Sequence, residues 1–242
     1  MLALRNLVKA ETQLVYLTAT MRPRDEGEFI ALIGLPAKEK CQWFRGSTTR
    51  KNVEYQIQRY NQKEEDKDEV LVRLVEKKKR QYLMPGQIIV YCDTVAKSVQ
   101  LAKLLGCVCY HRQVGSRGEK AELVRQLTEG RQQVFTATNA LGLGVDAPTI
   151  RVVIHVGTVR KLRDYAQESG RAGRDGRKSE AIIVRGVRYR RDGTVQEGSW
   201  GGVDEEMREF ITTKGCIRVV LDGEMDGRMD RVGCEVDEEK CS

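Results

Sequence analysis

The sequence predicts an α/β fold: a parallel sheet flanked by helices, followed by a small helical tail that carries cysteines. Short continuous apolar runs, typical of strands buried on both faces, alternate with segments of helical periodicity. No apolar run approaches the ~20 residues that a membrane-spanning helix needs. The 242 residues, 40% hydrophobic and 32% charged, suffice for one full core and a smaller unit.

The predicted elements follow in order along the chain. Gln13–Leu17 is a candidate buried strand, and Tyr55–Tyr60 alternates like a strand at a sheet edge or in a linker. Lys63–Tyr82 is a charged helix with one apolar side, and its basic run Lys77–Arg80 is typical of a solvated helix end. The strands predicted next are Gln87–Tyr91, Cys107–Tyr110, Gln133–Thr136, Arg151–His155 and Ala181–Val184. The helices between them are Asp93–Leu105, Ser116–Glu129 and Arg160–Ser169. This alternation predicts a parallel sheet with crossover helices.

The last part of the chain changes in composition. Gly186–Gly202 is polar and rich in glycine, which predicts a linker or a long surface loop. A helix over Val203–Thr213 then leads into an acidic tail. We expect the tail from Cys216 to Ser242 to be poorly ordered unless a metal holds it, because it has few large apolar residues.

Charge and cysteine content restrict the class of protein. The net charge is +7, although residues 201–242 carry 12 acidic and only 6 basic residues. The basic remainder suggests a polyanionic partner such as nucleic acid. Seven cysteines, an odd number, fit reducing conditions, and residues 1–10 lack the features of a signal peptide, so we expect an intracellular protein. We expect buried thiols at Cys41, Cys92, Cys107 and Cys109.

The most specific motif is QESGRAGRDG at Gln167–Gly176. Arg171 and Arg174 are three residues apart, which predicts that they lie on one helical face, where two guanidinium groups can clamp phosphate oxygens. The string resembles the final motif of superfamily-two helicases in its RecQ-like form. That resemblance implies that Gln167, Arg171 and Arg174 are catalytic, with the arginines acting as fingers on the transferred phosphoryl group of ATP.

A second motif, VFTATNALGLGVDAP, begins at Val134. A buried strand opens there into small and glycine-rich residues, so backbone amides can face a ligand. The stretch resembles the helicase motif that contacts both DNA and nucleotide. The resemblance implies that Thr138 and Asn139 contact the DNA backbone and that Gly144 and Asp146 contact ATP, although RecQ proteins often have Asn at the position of Asp146. A purely structural turn is the alternative.

Three weaker matches appear in the same order as in the RecQ family. LTATMRP at Leu17–Pro23 resembles the motif that couples ATP hydrolysis to strand movement, which implies coupling roles for Thr18 and Thr20. The strand and helix that begin at Ile88 and the Tyr-His pair before Arg112 resemble the opening of the second motor lobe. This implies DNA contacts at Thr94 and His111.

The cysteines of the tail follow the motor lobe as the RecQ zinc-binding subdomain does. That subdomain uses four cysteines, and this sequence offers Cys216, Cys234 and Cys241. Three thiolates leave a tetrahedral Zn²⁺ one ligand short. The resemblance implies Zn²⁺ binding in the parent protein, and surface thiols without a metal are the alternative.

Taken together, the motifs resemble the C-terminal half of a RecQ-family ATP-dependent DNA helicase. The sequence has no G-x-x-x-x-G-K-[ST] phosphate loop, so the resemblance implies that a missing first lobe holds ATP and Mg²⁺ and that the isolated chain is inactive. It further implies 3′-to-5′ unwinding of single-stranded or forked DNA, roles in DNA repair and recombination, and a nuclear location in a eukaryote or a cytoplasmic one otherwise. An RNA helicase lobe and a non-catalytic nucleic-acid-binding relic are the alternatives.

The resemblance also implies a division of the chain. The expected segments are a remnant of a first RecA-like lobe at 1–34, an inter-lobe segment and charged helix at 35–84, a second RecA-like lobe at 85–186, a linker at 187–202, and a truncated zinc-binding segment at 203–242.

Overall fold

A computed structural model of the chain describes residues 12–18, 21–34, 41–142, 145–196 and 200–242. The strands are β1 Val53–Asn61, β2 Gln87–Cys92, β3 Val108–Tyr110, β4 Val134–Ala137, β5 Ile150–Val156, β6 Ser179–Tyr189 and β7 Val195–Gln196. The helices are α1 Glu26–Ile33, α2 Lys67–Gln81, α3 Val95–Leu105, α4 Arg117–Thr128, α5 Leu162–Ser169, α6 Glu205–Thr212 and α7 Ile217–Asp226. Short 3₁₀ turns occupy Pro23–Asp25 and Asn139–Gly142.

The strands form one sheet in the order β1-β6-β5-β2-β4-β3, and each neighbouring pair in this order is parallel. The short β7 pairs antiparallel with the end of β6. The predicted parallel sheet is therefore confirmed. Because the six main strands run the same way, their carboxyl ends all lie along one edge, where α/β proteins place their ligands.

The two faces of the sheet are covered by different helices. Helices α2 and α3 pack on one face, and α4, α5, α6 and α7 contribute buried side chains to the core on the other. The central strands β2 and β5 are buried along their whole length, which explains why their sequences are mostly apolar. Within the described residues, no helix combines the length and the apolar character that crossing a membrane requires.

Several helices begin where the sequence supplies a capping side chain. Asp66 caps α2 by accepting hydrogen bonds from the backbone N–H groups of residues 68 and 69. Thr94 caps α3, and Ser116 forms a capping box with Glu119 at the start of α4. Each hydroxyl or carboxylate satisfies a backbone donor that the helix itself leaves open. The predicted helices are thus confirmed, with starts up to four residues later than expected.

One expected surface feature is buried. Lys78, in the middle of the basic run, is 6% exposed and forms an ion pair with Glu180 on β6. The carboxylate of Glu180 also accepts hydrogen bonds from Gln56 Nε2, Gln81 Nε2 and Tyr82 Oη, each at 2.9 Å. The run Lys77–Arg80 is therefore not simply a solvated helix end, because one of its four side chains attaches α2 to the sheet.

Three local predictions are wrong. Gln13–Leu17 is exposed and pairs with no described strand, because an apolar run becomes a strand only when a partner accepts its backbone hydrogen bonds. Gly186–Gly202 is not all loop, since β6 continues to Tyr189 and turns back into β7. Of the four cysteines expected to be buried, only Cys92 is fully so; the other three, Cys41, Cys107 and Cys109, are partly exposed.

The expectation of a poorly ordered tail is also wrong. Helix α7 buries Ile217, Leu221 and Met225 in the main core. The chain end then runs beside β1, where Ser242 exchanges backbone hydrogen bonds with Tyr55 and residue 57. The tail has few large apolar residues, but those of α7 all face the sheet.

Buried charges hold the rest of the tail. Arg231 and Asp222 form an ion pair, and Arg231 also pairs with Glu238, with all three side chains at most 3% exposed. Arg218, on α7, is fully buried and lies 3.6 Å from the carboxylate of Glu238. These paired charges fix the loop after α7 without a large apolar core.

Candidate functional site

Arg171 and Arg174 converge on one backbone carbonyl. Helix α5 ends at Ser169, so the two arginines lie in the turns after it, and the prediction that they share a helical face is wrong. They are nevertheless brought together, because Nη1 of each donates a hydrogen bond to the carbonyl oxygen of Val145 at 3.1 Å. Arg174 Nη1 also contacts a carboxylate oxygen of Asp146 at 2.7 Å. The turns thus aim both guanidinium groups at the loop that precedes β5.

The two arginines differ in exposure. Arg171 is 3% exposed and lies against Tyr91 of β2, whose pKa is raised by burial although Arg171 opposes that shift. Arg174 is exposed, and the side chain of its partner Asp146 is 79% exposed. Of the pair, Arg174 is therefore the side chain that can reach a ligand from another surface, and Arg171 is a buried support.

Gly173 permits the turn between the arginines. Its φ is +64°, and a Cβ there would lie 2.3 Å from Nδ2 of Asn52. The same Nδ2 donates to the carbonyl oxygens of Gly173 at 2.8 Å and Arg177 at 2.7 Å. The turn is therefore held from the side of β1.

Asp175 holds the turn from the other side. Its carboxylate accepts a hydrogen bond from Arg151 Nη1 at 3.0 Å, and a second nitrogen of Arg151 also contacts it. Burial alone would raise the pKa of Asp175, but hydrogen bonds from Arg151 and from the backbone N–H of Arg177, together with the charges of both arginines, outweigh it and the pKa is lowered. The charged form of Asp175 thus fixes the end of the motif to the first residues of β5.

A buried histidine that the sequence analysis did not single out supports helix α5. Nε2 of His155 lies 2.9 Å from Oε2 of Glu168 in a hydrogen bond, and its ring stacks on Tyr91 with centroids 5.5 Å apart. His155 is 2% exposed, whereas Gln167 beside Glu168 is exposed. The feature of the sequence that could have identified His155 was a single histidine within a mostly apolar strand.

The residues expected to face DNA gather at the carboxyl edge of the sheet. His111 and Thr138 directly follow β3 and β4, and Thr94 lies two residues after β2; these three strands are neighbours in the sheet. The backbone N–H of Thr138 donates to the carbonyl oxygen of Tyr110 at 3.2 Å, which joins two of these strand ends. Asn139 follows and is exposed at the start of a 3₁₀ turn.

The hydroxyls at this edge already have local roles. Oγ1 of Thr94 accepts the N–H of Lys97 at 3.2 Å, and Oγ1 of Thr138 accepts the N–H of Ala140 at 3.4 Å. Thr138 is 7% exposed, while Thr94 and Asn139 are exposed. Thr94 and Asn139 are therefore the more accessible groups for a strand that crosses this edge.

Two expected site residues, Gly144 and Thr20, lie outside the described residues. Thr18 is described and exposed, but the structure places it in an extended segment that joins no sheet. The coupling roles inferred for Thr18 and Thr20 therefore stay predictions.

The tail cysteines form a compact group. The sulfur atoms of Cys216, Cys234 and Cys241 lie within 4.8 Å of one another, and those of Cys216 and Cys234 are 3.3 Å apart. Burial raises the pKa values of Cys216 and Cys241. Burial also opposes ionisation of Cys234, but the N–H of Cys241 donates to its sulfur and the pKa is lowered. Thiolate ligands around one Zn²⁺ need such separations, so this donor set fits three of the four positions of a tetrahedral site.

Comparison with known proteins agrees with this geometry. The family model described as "Helicase conserved C-terminal domain" matches residues 66–176. These residues, a little under half of the chain, are therefore similar to a helicase C-terminal domain. The match begins at the cap of α2 and ends with the glycine that closes the arginine motif. The predicted RecA-like sheet is thereby confirmed.

Sequence relatives point to one branch of helicases. The chain is 34% identical over 154 residues to "ATP-dependent DNA helicase Q1" of Pongo abelii, which covers 61% of this chain and 23% of that protein. It is 31% identical over 172 residues to "RecQ-like DNA helicase BLM" of Xenopus laevis, covering 69% of this chain and 12% of that protein. The predicted resemblance to the RecQ family is confirmed, and the chain spans about a quarter of the length of the first of these relatives.

Solved structures share the fold of the helicase domain. "S. cerevisiae Dbp5 bound to RNA and ADP BeF3" matches with a TM-score of 0.60 at 20% identity and covers 91% of this chain and 58% of that one. "Structure of Mycobacterium smegmatis helicase Lhr bound to ssDNA and AMP-PNP" matches with a TM-score of 0.55 at 21% identity, covering 76% and 25%. At these identities the likeness concerns the fold alone.

Proposed function

We propose that this chain is the second motor lobe of an ATP-dependent 3′-to-5′ DNA helicase. The observation that carries the proposal is the convergence of Arg171 and Arg174 on the carbonyl oxygen of Val145, with Arg174 exposed. An exposed guanidinium group that a buried neighbour helps to position suits the charge that develops on phosphoryl oxygens during transfer. The resemblance to the RecQ family supports this role, because the final motif of that family carries arginines of this kind.

Within this proposal the two arginines have different roles. Arg174 contacts the phosphoryl oxygens, because it is the exposed member and its other partner, Asp146, is also exposed. Arg171 is buried and holds the loop at Val145 that Arg174 also binds. Bound ATP with Mg²⁺ supplies an activated phosphoryl group, and this chain's residues orient and stabilise its charge from one side.

The DNA strand crosses the carboxyl edge of the sheet in this proposal. Asn139 and Thr94 are exposed there, and His111 lies at the end of the neighbouring β3. Amide, hydroxyl and imidazole groups hydrogen-bond to phosphate and sugar, which positions a strand without reading its sequence. The net charge of +7 adds a favourable, salt-dependent contribution.

Zn²⁺ completes the tail in this proposal, with Cys216, Cys234 and Cys241 as thiolate ligands. Zinc there has a structural role, since it crosslinks the start of α7 to the chain end. The buried charges around Arg231 already fix much of this segment, so the metal adds to an ordered tail.

The proposal is tested by ATP hydrolysis with three polynucleotide conditions. We expect no turnover by the chain alone, and turnover that single-stranded DNA stimulates when the chain follows a RecA-like lobe with a phosphate loop on one polypeptide. Stimulation by oligo(U) but not by oligo(dT) would show an RNA helicase lobe instead. Nucleic-acid binding without turnover in the two-lobe polypeptide would show a non-catalytic relic.

A further inference from the structure

A cavity of about 500 Å³ lies at the carboxyl edge of the sheet, away from the arginine motif. It is lined by the residues that follow β1 and β5 and by the end of β6, among them Gln62, Gly157 and Arg188. Its volume falls within the ~300–1,000 Å³ of small-ligand pockets. None of the residues expected to contact DNA or ATP lines it.

Basic side chains supply the charge of the described part of the lining. Lys67, Arg185 and Arg188 line the cavity, and among the described lining residues they are the charged ones. Lys67 is partly exposed at the start of α2, and Arg188 is exposed on β6. Three cations around one cavity favour an anionic ligand of the phosphate type over a cation.

Aromatic rings give the cavity a second property. Trp200 and Tyr60 both line it. The guanidinium carbon of Arg185 lies 4.2 Å from the centroid of the Trp200 ring, and that of Arg208 lies 5.8 Å from it. A guanidinium group beside an aromatic ring is attracted to the face of that ring. Cations beside aromatic rings suit a ligand that carries both a phosphate and a planar base.

The position of the cavity connects it to the DNA-facing edge. Strands β2, β5 and β6 are consecutive neighbours, and their carboxyl ends lead from Thr94 past Gly157 to Arg185. Two strand spacings separate the ends of β2 and β6, which is roughly 10 Å. A strand that contacts Thr94 therefore passes within reach of the cavity.

We propose that this cavity binds a nucleoside phosphate, with Arg188 and Lys67 on the phosphate and Trp200 beside the base. The bound unit is either one nucleotide of the DNA strand or a free mononucleotide, since both present the same chemistry. Binding of a nucleotide of the DNA strand rests on the proposed function, whereas binding of a free mononucleotide does not. The hairpin of β6 and β7, which the sequence suggested was a linker, then serves to carry one wall of the site.

The chain contains two tryptophans, so replacing one isolates the other as a reporter. In the Trp43→Phe chain, the fluorescence of Trp200 is titrated with (dT)₁₂ and, separately, with dTMP. A saturable change with (dT)₁₂ alone identifies a strand nucleotide, and a saturable change with dTMP as well identifies a free-nucleotide site. No saturable change with either probe overturns the proposal.

Arg188→Glu and Arg191→Glu provide a matched pair. Both arginines are exposed and both substitutions change the net charge equally, but Arg191 lies in the hairpin turn and does not line the cavity. We expect Arg188→Glu to weaken the binding that Trp200 fluorescence reports at least tenfold more than Arg191→Glu does. We also expect it to reduce the slope of log binding constant against log salt concentration for (dT)₁₂ by about one. Equal weakening by the two variants overturns the proposal, because only general charge would then matter.

Failure of this proposal is separable from failure of the proposed function. Binding of labelled (dT)₁₂ is followed in parallel by fluorescence anisotropy in the Asn139→Ala chain. If Asn139→Ala weakens that binding while the fluorescence of Trp200 does not change with either probe, the proposed DNA contact at the carboxyl edge is supported and the cavity site is wrong. If Trp200 responds to dTMP while Asn139→Ala changes nothing, the cavity site stands and the proposed DNA contact is wrong.

Discussion

Replacing Arg218 by methionine tests how the tail is attached to the sheet. The guanidinium of Arg218 donates to the carbonyl oxygens of Arg50 at 3.1 Å, Val53 at 2.6 Å and Glu239 at 3.2 Å. Its carbon lies 4.8 Å from the centroid of the Tyr55 ring. One side chain thus joins α7, the start of β1 and the chain end, and methionine preserves only its apolar stem.

The size of the effect follows from burial. Arg218 is fully buried, so its loss leaves three carbonyl oxygens with one partner fewer and no water to replace it. Each buried polar group left without its partner costs about 1–3 kcal/mol, and the part of the guanidinium desolvation that is recovered offsets some of this. We expect Arg218→Met to lower the free energy of unfolding by about 3–5 kcal/mol.

Urea unfolding monitored by circular dichroism measures this change. The midpoint should fall with an unchanged slope, since the unfolding reaction exposes the same surface. The control is Arg228→Met, whose partner is Glu235 at 2.7 Å in a partly exposed pair that solvent screens, so its loss should change stability little. A loss for Arg218→Met no larger than that of the control would refute the reasoning.

Two further predictions concern the metal group and the arginine turn. Cys234→Ser should abolish the thiolate-to-metal absorption that Co²⁺ produces in the reduced chain, whereas Cys41→Ser should leave it intact; identical spectra would show that the tail cysteines are not a ligand set. Asp175→Asn should destabilise the chain by about 1–2 kcal/mol at pH 7, because it weakens the pairing of the buried Arg151. Since the folded pKa of Asp175 is lowered, its contribution is present above the unfolded pKa of ~3.9 and is lost as pH falls through the folded value. A difference between wild type and Asp175→Asn that stays constant from pH 7 to pH 3 would contradict this.

Periodicity sufficed to predict the sheet. The strands β2 and β5 are mostly apolar because helices cover both of their faces, and that pattern is visible in the sequence. The capping residues Thr94 and Ser116 likewise marked their helices. These features depend on residues close together along the chain.

Features that depend on distant residues were not predictable. Lys78 looks like its neighbours in a basic run, and only the approach of Glu180, 102 residues later, makes it a buried ion pair. The tail has too few apolar residues to suggest a core, yet Arg218 finds carbonyl partners on β1. For the site, the motif identified Arg171 and Arg174, but not that the helix ends before them or that only one of them is exposed.

The central claim, that Arg174 completes an ATP site, is tested most directly by hydrolysis rates of the two-lobe polypeptide with saturating single-stranded DNA. We expect Arg174→Ala to reduce turnover about 10³-fold or more while DNA affinity stays nearly unchanged, and Arg174→Lys to restore little, because an ammonium lacks the planar fork of a guanidinium. The matched control is Arg177→Ala, three residues on, whose side chain is 78% exposed and pairs at 3.7 Å with Asp175; it should retain near-normal turnover. A variant Arg174→Ala that hydrolyses ATP normally and loses DNA affinity instead would contradict the account.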